Sequence, residues 1–189
     1  MSSMWSVEGN NVINKNQPVL LQWNNGEGII FEKKIELDDK YLFKITQQVK
    51  NNTSNEVELY PYAQITRNKI PDDIQNFYIS HEGFIGVFDE ELKEDDYDDI
   101  QEKKIVREAD EGWFGITDKY WMTAIVPKNG ENFKSTFLYQ DAFKANYILN
   151  KPTLIRSSSS AINEVKLFVA AKEVETIDAY AADQNINKL

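Results

Sequence analysis

The residues GIIFEKKIEL, 28–37, set the first limit on the fold. Ile29, Phe31, Ile35 and Leu37 take alternate positions, and Glu32, Lys34 and Glu36 fill positions between them. Successive side chains of an extended chain point to opposite faces, so this pattern makes a strand with one buried and one wetted face. A helix would scatter the two sets around its axis. The same sorting recurs along the chain. VLLQW (19–23) runs into Asn24-Asn25-Gly26, where tolerance of positive φ signals a hairpin. Asp38-Asp39 turns the chain into YLFKITQQV (41–49), with Tyr41, Phe43, Ile45 and Val49 on one face. NNTSN (51–55) is the next turn and VELYPYAQI (57–65) the next strand. Its Pro61 cannot donate a ladder hydrogen bond, which predicts an edge or a bulge there.

FIGVF (84–88), FKSTFLY (133–139), KANYIL (144–149), PTLI (152–155) and EVKLFVA (164–170) continue the series, with SSSS (157–160) as a loop. Short strands at roughly 8–12-residue spacing favour a β-sandwich or barrel. Their polar and apolar alternation points to antiparallel sheets with one solvated side. From Lys172 the period changes: Val174, Ile177 and Ala181 stand three and four apart, which predicts a short amphipathic C-terminal α-helix. With no internal repeat and no linker, residues 1–189 read as a single domain, mainly β.

Composition excludes several functions. A net charge of −10 argues against nucleic acid and against anionic lipid surfaces. The absence of cysteine removes disulfides, thiolate metal sites and thiol nucleophiles, and one histidine, His81, removes sites that need two imidazoles. No run approaches a membrane span, and MSSMWSVEGNN has neither the basic start nor the apolar stretch of a signal peptide. The acidic run DEELKEDDYDDI (89–100) lacks the ligand spacing and turn glycine of a calcium loop and reads as a solvated excursion between strands. His81, beside Glu82 and Gly83, reads as a turn residue. Asn51 and Asn52 each begin an N-x-[ST] sequon, which matters only in a glycosylating pathway. No catalytic, cofactor-binding or metal-binding residues are predicted, and no cofactor is called for. The four Trp, nine Tyr and ten Phe read first as core, with a sugar or peptide groove as the rival.

The densest stretch is EGWFGITDKYWMTAIVP, 111–127. It reads as strand, bend near Asp118-Lys119, and strand. Tyr120, Met122, Ala124 and Val126 alternate with Trp121, Thr123 and Ile125, so both faces are largely apolar and the strand is expected to be covered on both sides, its Trp and Tyr rings serving as packing.

GWFGITDKYWMTAIVP also resembles the signature stretch of the periplasmic domain of the YidC/Oxa1/Alb3 membrane protein insertase family, through Gly112-Trp113, Ile116 to Trp121 and Ala124 to Pro127. WSVEGNNVINKNQPVLLQWNNGEGIIFEKKIELDDKYLFKITQQVKNNT is similar to the family's tryptophan-asparagine-glycine hairpin and the strand after it, and EVKLFVAAKEVETIDAY to its last strand and helix. The acidic, Asn-rich style suits an alphaproteobacterial member. The resemblance implies an antiparallel β-supersandwich of two packed sheets and a periplasmic location. It implies partners too: the Sec translocon, notably SecF, and nascent membrane proteins. By the same resemblance the chain is the larger, C-terminal part of that domain. The first transmembrane helix and the five-helix insertase core, with its functional arginine, lie outside it. The function expected is non-catalytic assistance to insertion and folding of inner-membrane proteins. The alternatives are a carbohydrate-binding or aldose-mutarotase-like sandwich, for which a single His81 is poor acid–base equipment, and a structural spacer.

Overall fold

The computed structural model describes residues 3–71 and 81–172. The strands that open the chain are β1 (Ser6–Glu8), β2 (Val19–Asn24), β3 (Ile29–Leu37), β4 (Leu42–Asn51), β5 (Val57–Leu59) and β6 (Tyr62–Arg67). β7 (Gly83–Phe88), β8 (Glu91–Asp95), the helix α1 (Tyr97–Glu102) and β9 (Ile105–Ala109) follow. β10 (Gly112–Thr117), β11 (Trp121–Val126), β12 (Phe133–Gln140), β13 (Ala142–Leu149), β14 (Thr153–Ile155) and β15 (Ser159–Ala171) complete the described chain. It divides into two compact units. One holds the residues up to Pro61 with Lys151–Lys166, and the other holds Tyr62–Asn150 with the residues from Leu167.

In the first unit β1, β2, β3 and β4 pair antiparallel in sequence order, with β15 next to β4. The register sets Trp23 beside Phe31 and Phe31 beside Val49, and likewise Val19, Ile35 and Ile45, so the alternation in the sequence becomes one apolar face. Trp23 and Phe31 stack with ring centroids 5.0 Å apart. The other face is a lattice of charges, with Glu32 taking Lys50 at 2.7 Å and the Gln22 amide at 2.9 Å, and Lys44 meeting Glu164 at 2.8 Å. The hairpin at Asn24-Asn25-Gly26 forms as expected. Gly26 stands at φ 80°, and the Asn25 carboxamide oxygen accepts from the backbone of Glu27 and Ile29. Tyr41 departs from its expected face: at φ 69° it belongs to the preceding turn, and its ring is exposed. β5 and β14 form a separate two-stranded sheet.

The second unit is a sandwich. One layer runs β15-β11-β10-β7-β8 and the other β6-β13-β12-β9, all pairings antiparallel. Phe84, Phe88 and Phe114 of the first layer meet Phe133 and Phe137 of the second, with Phe84–Phe137 centroids at 4.9 Å and Phe114–Phe133 at 5.9 Å. α1 closes this core with Tyr97, whose ring meets Phe143 edge-on at 4.8 Å, and with buried Ile100. A helix of six residues is too short to hold itself in water, so this packing is what holds it.

The architecture is therefore mainly β and antiparallel, with sheets packed face to face, as expected. Several local expectations are corrected. Residues 57–65 are not one strand: the chain breaks at Tyr60-Pro61 and its halves enter different sheets, with β6 at a sheet edge. The acidic run is no loop but β8 and α1, because Tyr97 and Ile100 stand three apart and bury together while its carboxylates, all but Asp95, face outward. Only the first half of SSSS turns, since Ser159 already begins β15. The helix expected beyond Lys172 lies outside the described residues.

Candidate functional site

The hairpin of β10 and β11 carries the site. Gly115 lets the two strands close up, since a Cβ there would stand 1.9 Å from the Thr123 carbonyl oxygen. The Asp118 amide donates to the Trp121 carbonyl at 2.8 Å, which closes the bend where the sequence placed it. Asp118 then takes the Arg67 guanidinium from the end of β6, and its Oδ1 accepts from the Tyr97 hydroxyl of α1 at 3.1 Å. Three elements distant in sequence are tied at one carboxylate. Burial, reinforced by the Asp118 charge, raises the Tyr97 phenol well above its ordinary value and keeps it a donor.

Beside this knot lies a groove of about 440 Å³ lined by Ile65 to Lys69, Ile116, Asp118, Trp121 and Thr123. The same side of the hairpin carries Phe114, which faces the second layer, so the groove is the place where the sandwich interior opens past β6. Trp121 is 62% exposed at its mouth, and Tyr120 next to it has Lys119 Nζ 5.2 Å from its ring centroid. Lys172 flanks the same hairpin through its amide, 2.8 Å from the Tyr120 carbonyl, and burial lowers its ammonium pKa.

This corrects the expectation that both tryptophans of the stretch serve as packing. Trp113 does, at 1% exposure, but Trp121 and Tyr120 do not. β11 is buried at every residue only from Ala124 to Val126, while its first residue, Trp121, stands mostly in solvent.

The remaining candidates are structural. His81 lies half-buried with Nε2 2.9 Å from the Phe84 carbonyl oxygen and Nδ1 3.7 Å from Asp96. Asp95, the last residue of β8, is 8% exposed and takes both arms of Arg107, at 2.9 and 2.7 Å. The Asn51 side chain is fully buried, its amide donating to the carbonyls of Asn55 and Ile155 at 2.8 and 2.9 Å, so this sequon has no free nitrogen to modify. Among the described residues no cluster of His, Cys, Asp and Glu could hold a metal ion. None of their helices is long and apolar enough to cross a membrane.

By class the described chain is an antiparallel β-sandwich domain, with an aromatic and polar groove open to solvent. Solved structures share the fold: a galactose mutarotase related enzyme from Lactobacillus acidophilus, TM-score 0.62 at 9% identity, covers 90% of this chain and 72% of its own. The α-galactosidase from Lactobacillus brevis gives 0.59 at 7%, over 94% of this chain and 26% of its own. At such identity the likeness concerns the fold alone. Residues 1–189 match the family described as the YidC periplasmic domain, and the chain belongs to that family. Among its relatives, the membrane protein insertase YidC of Pelagibacter ubique is 46% identical over 99% of this chain and 33% of its own length. That of Cereibacter sphaeroides is 37% identical over 95% and 31%. The chain thus spans about a third of the curated relatives it matches.

Proposed function

We propose that this chain is a non-catalytic interaction domain that works in the periplasm as part of a membrane protein insertase, assisting the insertion and folding of inner-membrane proteins. The observation that carries the reading is the family match through residues 1–189 to a domain whose relatives are membrane protein insertases. The groove supports it with an exposed aromatic face beside hydrogen-bonding side chains. Its partners are the Sec translocon component SecF and nascent membrane proteins. Retention of the chain on immobilised SecF periplasmic segments, above a scrambled control, tests the first partner. Photocrosslinking of the intact insertase to nascent membrane-protein loops tests the second. Absence of both contacts sinks the proposal.

One observation favours a second reading, carbohydrate binding: Trp121 stands exposed beside Asp118 and Arg67, a ring with polar groups around it, on a fold shared with a galactose mutarotase related enzyme. Fold likeness is a weak warrant for activity. Measured epimerisation of glucose or galactose by the purified chain would replace the first reading with this one.

A further inference from the structure

Asparagine followed by glycine is a chemically weak step in a polypeptide. The glycine nitrogen reaches the side-chain Cγ of the asparagine before it, because glycine puts no Cβ in the way and turns freely. The chain has two such pairs, Asn25-Gly26 and Asn129-Gly130, and the fold treats them differently. Asn25 lies half-buried in the hairpin before β3. Its carboxamide oxygen accepts from the amides of Glu27 and Ile29, at 2.8 and 3.0 Å. The Gly26 amide, which would be the nucleophile, donates to the Asn24 carboxamide oxygen at 2.8 Å. Both reacting groups are held, and three hydrogen bonds must break before they meet.

Asn129 stands in the turn that carries the chain from β11 to β12. The Glu131 amide donates to the Lys128 carbonyl across this turn at 3.3 Å. Gly130 takes φ 79° and Asn129 does not share the positive φ, which is the type II form. Lys128, Asn129 and Gly130 are all exposed, and among the described residues nothing bonds the Asn129 carboxamide. A Cβ at Gly130 would meet no atom within 4 Å, so the turn has open space to swing through. The Gly130 amide donates to the Asp110 carbonyl at 3.1 Å, and that bond is what attack on Asn129 must break.

We propose that Asn129 is a site of spontaneous covalent modification, deamidating through Gly130 while Asn25 is spared. The Gly130 nitrogen bonds to Asn129 Cγ, the Cγ–Nδ2 bond breaks, and the proton lost by Gly130 leaves with Nδ2 as ammonia. Water then opens the five-membered imide at either carbonyl. One opening leaves aspartate. The other leaves isoaspartate, whose backbone runs through the former side chain and is one atom longer. Either product adds a carboxylate next to Glu131 in a chain already at net charge −10, and isoaspartate also draws Gly130 away from Asp110. The turn joins β11, which begins at Trp121, to β12 of the facing layer, so the change falls on a link between the two layers of the second unit. The inference concerns the chain's own chemistry and goes beyond the function proposed above.

The test ages the 189-residue chain in mildly alkaline buffer and maps its peptides by mass spectrometry for replacement of the carboxamide NH2 by OH. Methylation by an isoaspartyl methyltransferase, used as a reagent, counts the isoaspartate. Conversion at Asn129 should run at least about tenfold faster than at Asn25, the margin given by two further hydrogen bonds of ordinary net worth. In concentrated urea the two rates should converge, because the pairs then differ only in their sequence neighbours. Asn129→Gln should end conversion at this turn, since the longer side chain would have to close a six-membered ring. The position is exposed, so the variant should keep the parent's melting temperature.

Equal rates at the two asparagines of the folded chain, or a faster rate at Asn25, would overturn the proposal. So would an intact Asn129 after a time in which the urea-unfolded chain converts fully. A preference for Asn129 that persists undiminished in urea would overturn it too, by assigning the selectivity to neighbouring residues instead of the fold.

Discussion

The Tyr97 hydroxyl donates to Asp118 Oδ1 at 3.1 Å and fastens the only described helix to the bend that carries Trp121. The phenol is buried, and burial together with the Asp118 charge raises its pKa above the ordinary value of 10.0. The unfolded chain therefore releases this proton from about pH 10 upward while the folded chain keeps it. Folding stability is fully present below pH 10 and falls as pH rises beyond it, by at most about 1.4 kcal/mol per pH unit. Tyr97→Phe should cost about 1 kcal/mol at neutral pH, the net worth of one hydrogen bond, and should flatten the alkaline decline. Urea titrations at several pH values between neutrality and the alkaline limit check both. A decline as steep in the variant as in the parent would assign it to other groups.

Trp113 and Trp121 sit in one sixteen-residue stretch, yet their replacement should have opposite consequences. Trp113 is fully enclosed, so Trp113→Ala should cost about 3–5 kcal/mol. Trp121 stands mostly in solvent, so Trp121→Ala should stay within about 0.5 kcal/mol of the parent. Chemical denaturation of the two variants is enough, and similar losses would mean that Trp121 is packed after all.

That contrast marks how far the sequence is legible. The alternation of Ile29, Phe31, Ile35 and Leu37 with charged neighbours placed β3 to within one residue, because a period of two is a local property and the hairpin before it has its own chemistry in Asn25 and Gly26. β8 and α1 were hidden because eight carboxylates mask the few apolar side chains among them, and because Asp95 is buried only through Arg107, twelve residues on. Trp121 was misread for a related reason. Its strand is apolar on both sides, and whether a ring there is covered depends on where the other layer ends. The groove was out of reach altogether, since Arg67 and Asp118 are separated by 51 positions and nothing near either announces the other.

Gly115 carries a sharper expectation than most glycines, because its need is for space rather than for an unusual φ. With a Cβ 1.9 Å from the Thr123 carbonyl oxygen, Gly115→Ala must push β10 and β11 apart and disturb the ladder between them. A loss of about 1–3 kcal/mol should follow, as for overpacking in a filled core. Slowed folding without loss of stability would contradict it, and stopped-flow refolding beside equilibrium denaturation separates the two.

Arg107 reaches Asp95 with both arms of its guanidinium while its Cζ lies 5.5 and 5.6 Å from the ring centroids of Phe88 and Phe137. The pair is thus held against the aromatic core of the sandwich, with little of either side chain in water. Removing one partner strands the other as a poorly solvated charge, so Asp95→Ala and Arg107→Ala should each cost about 3 kcal/mol. The double variant should cost clearly less than the two together, because it strands neither charge. Arg107→Lys should recover only part of the loss, since a compact ammonium cannot keep one nitrogen hydrogen-bonded to Asp95 and a second close to its other oxygen while covering two rings. A double-mutant cycle by urea denaturation reads the coupling directly. Strict additivity would reduce the pair to two independent surface charges and move the burden of this edge to the phenylalanines alone.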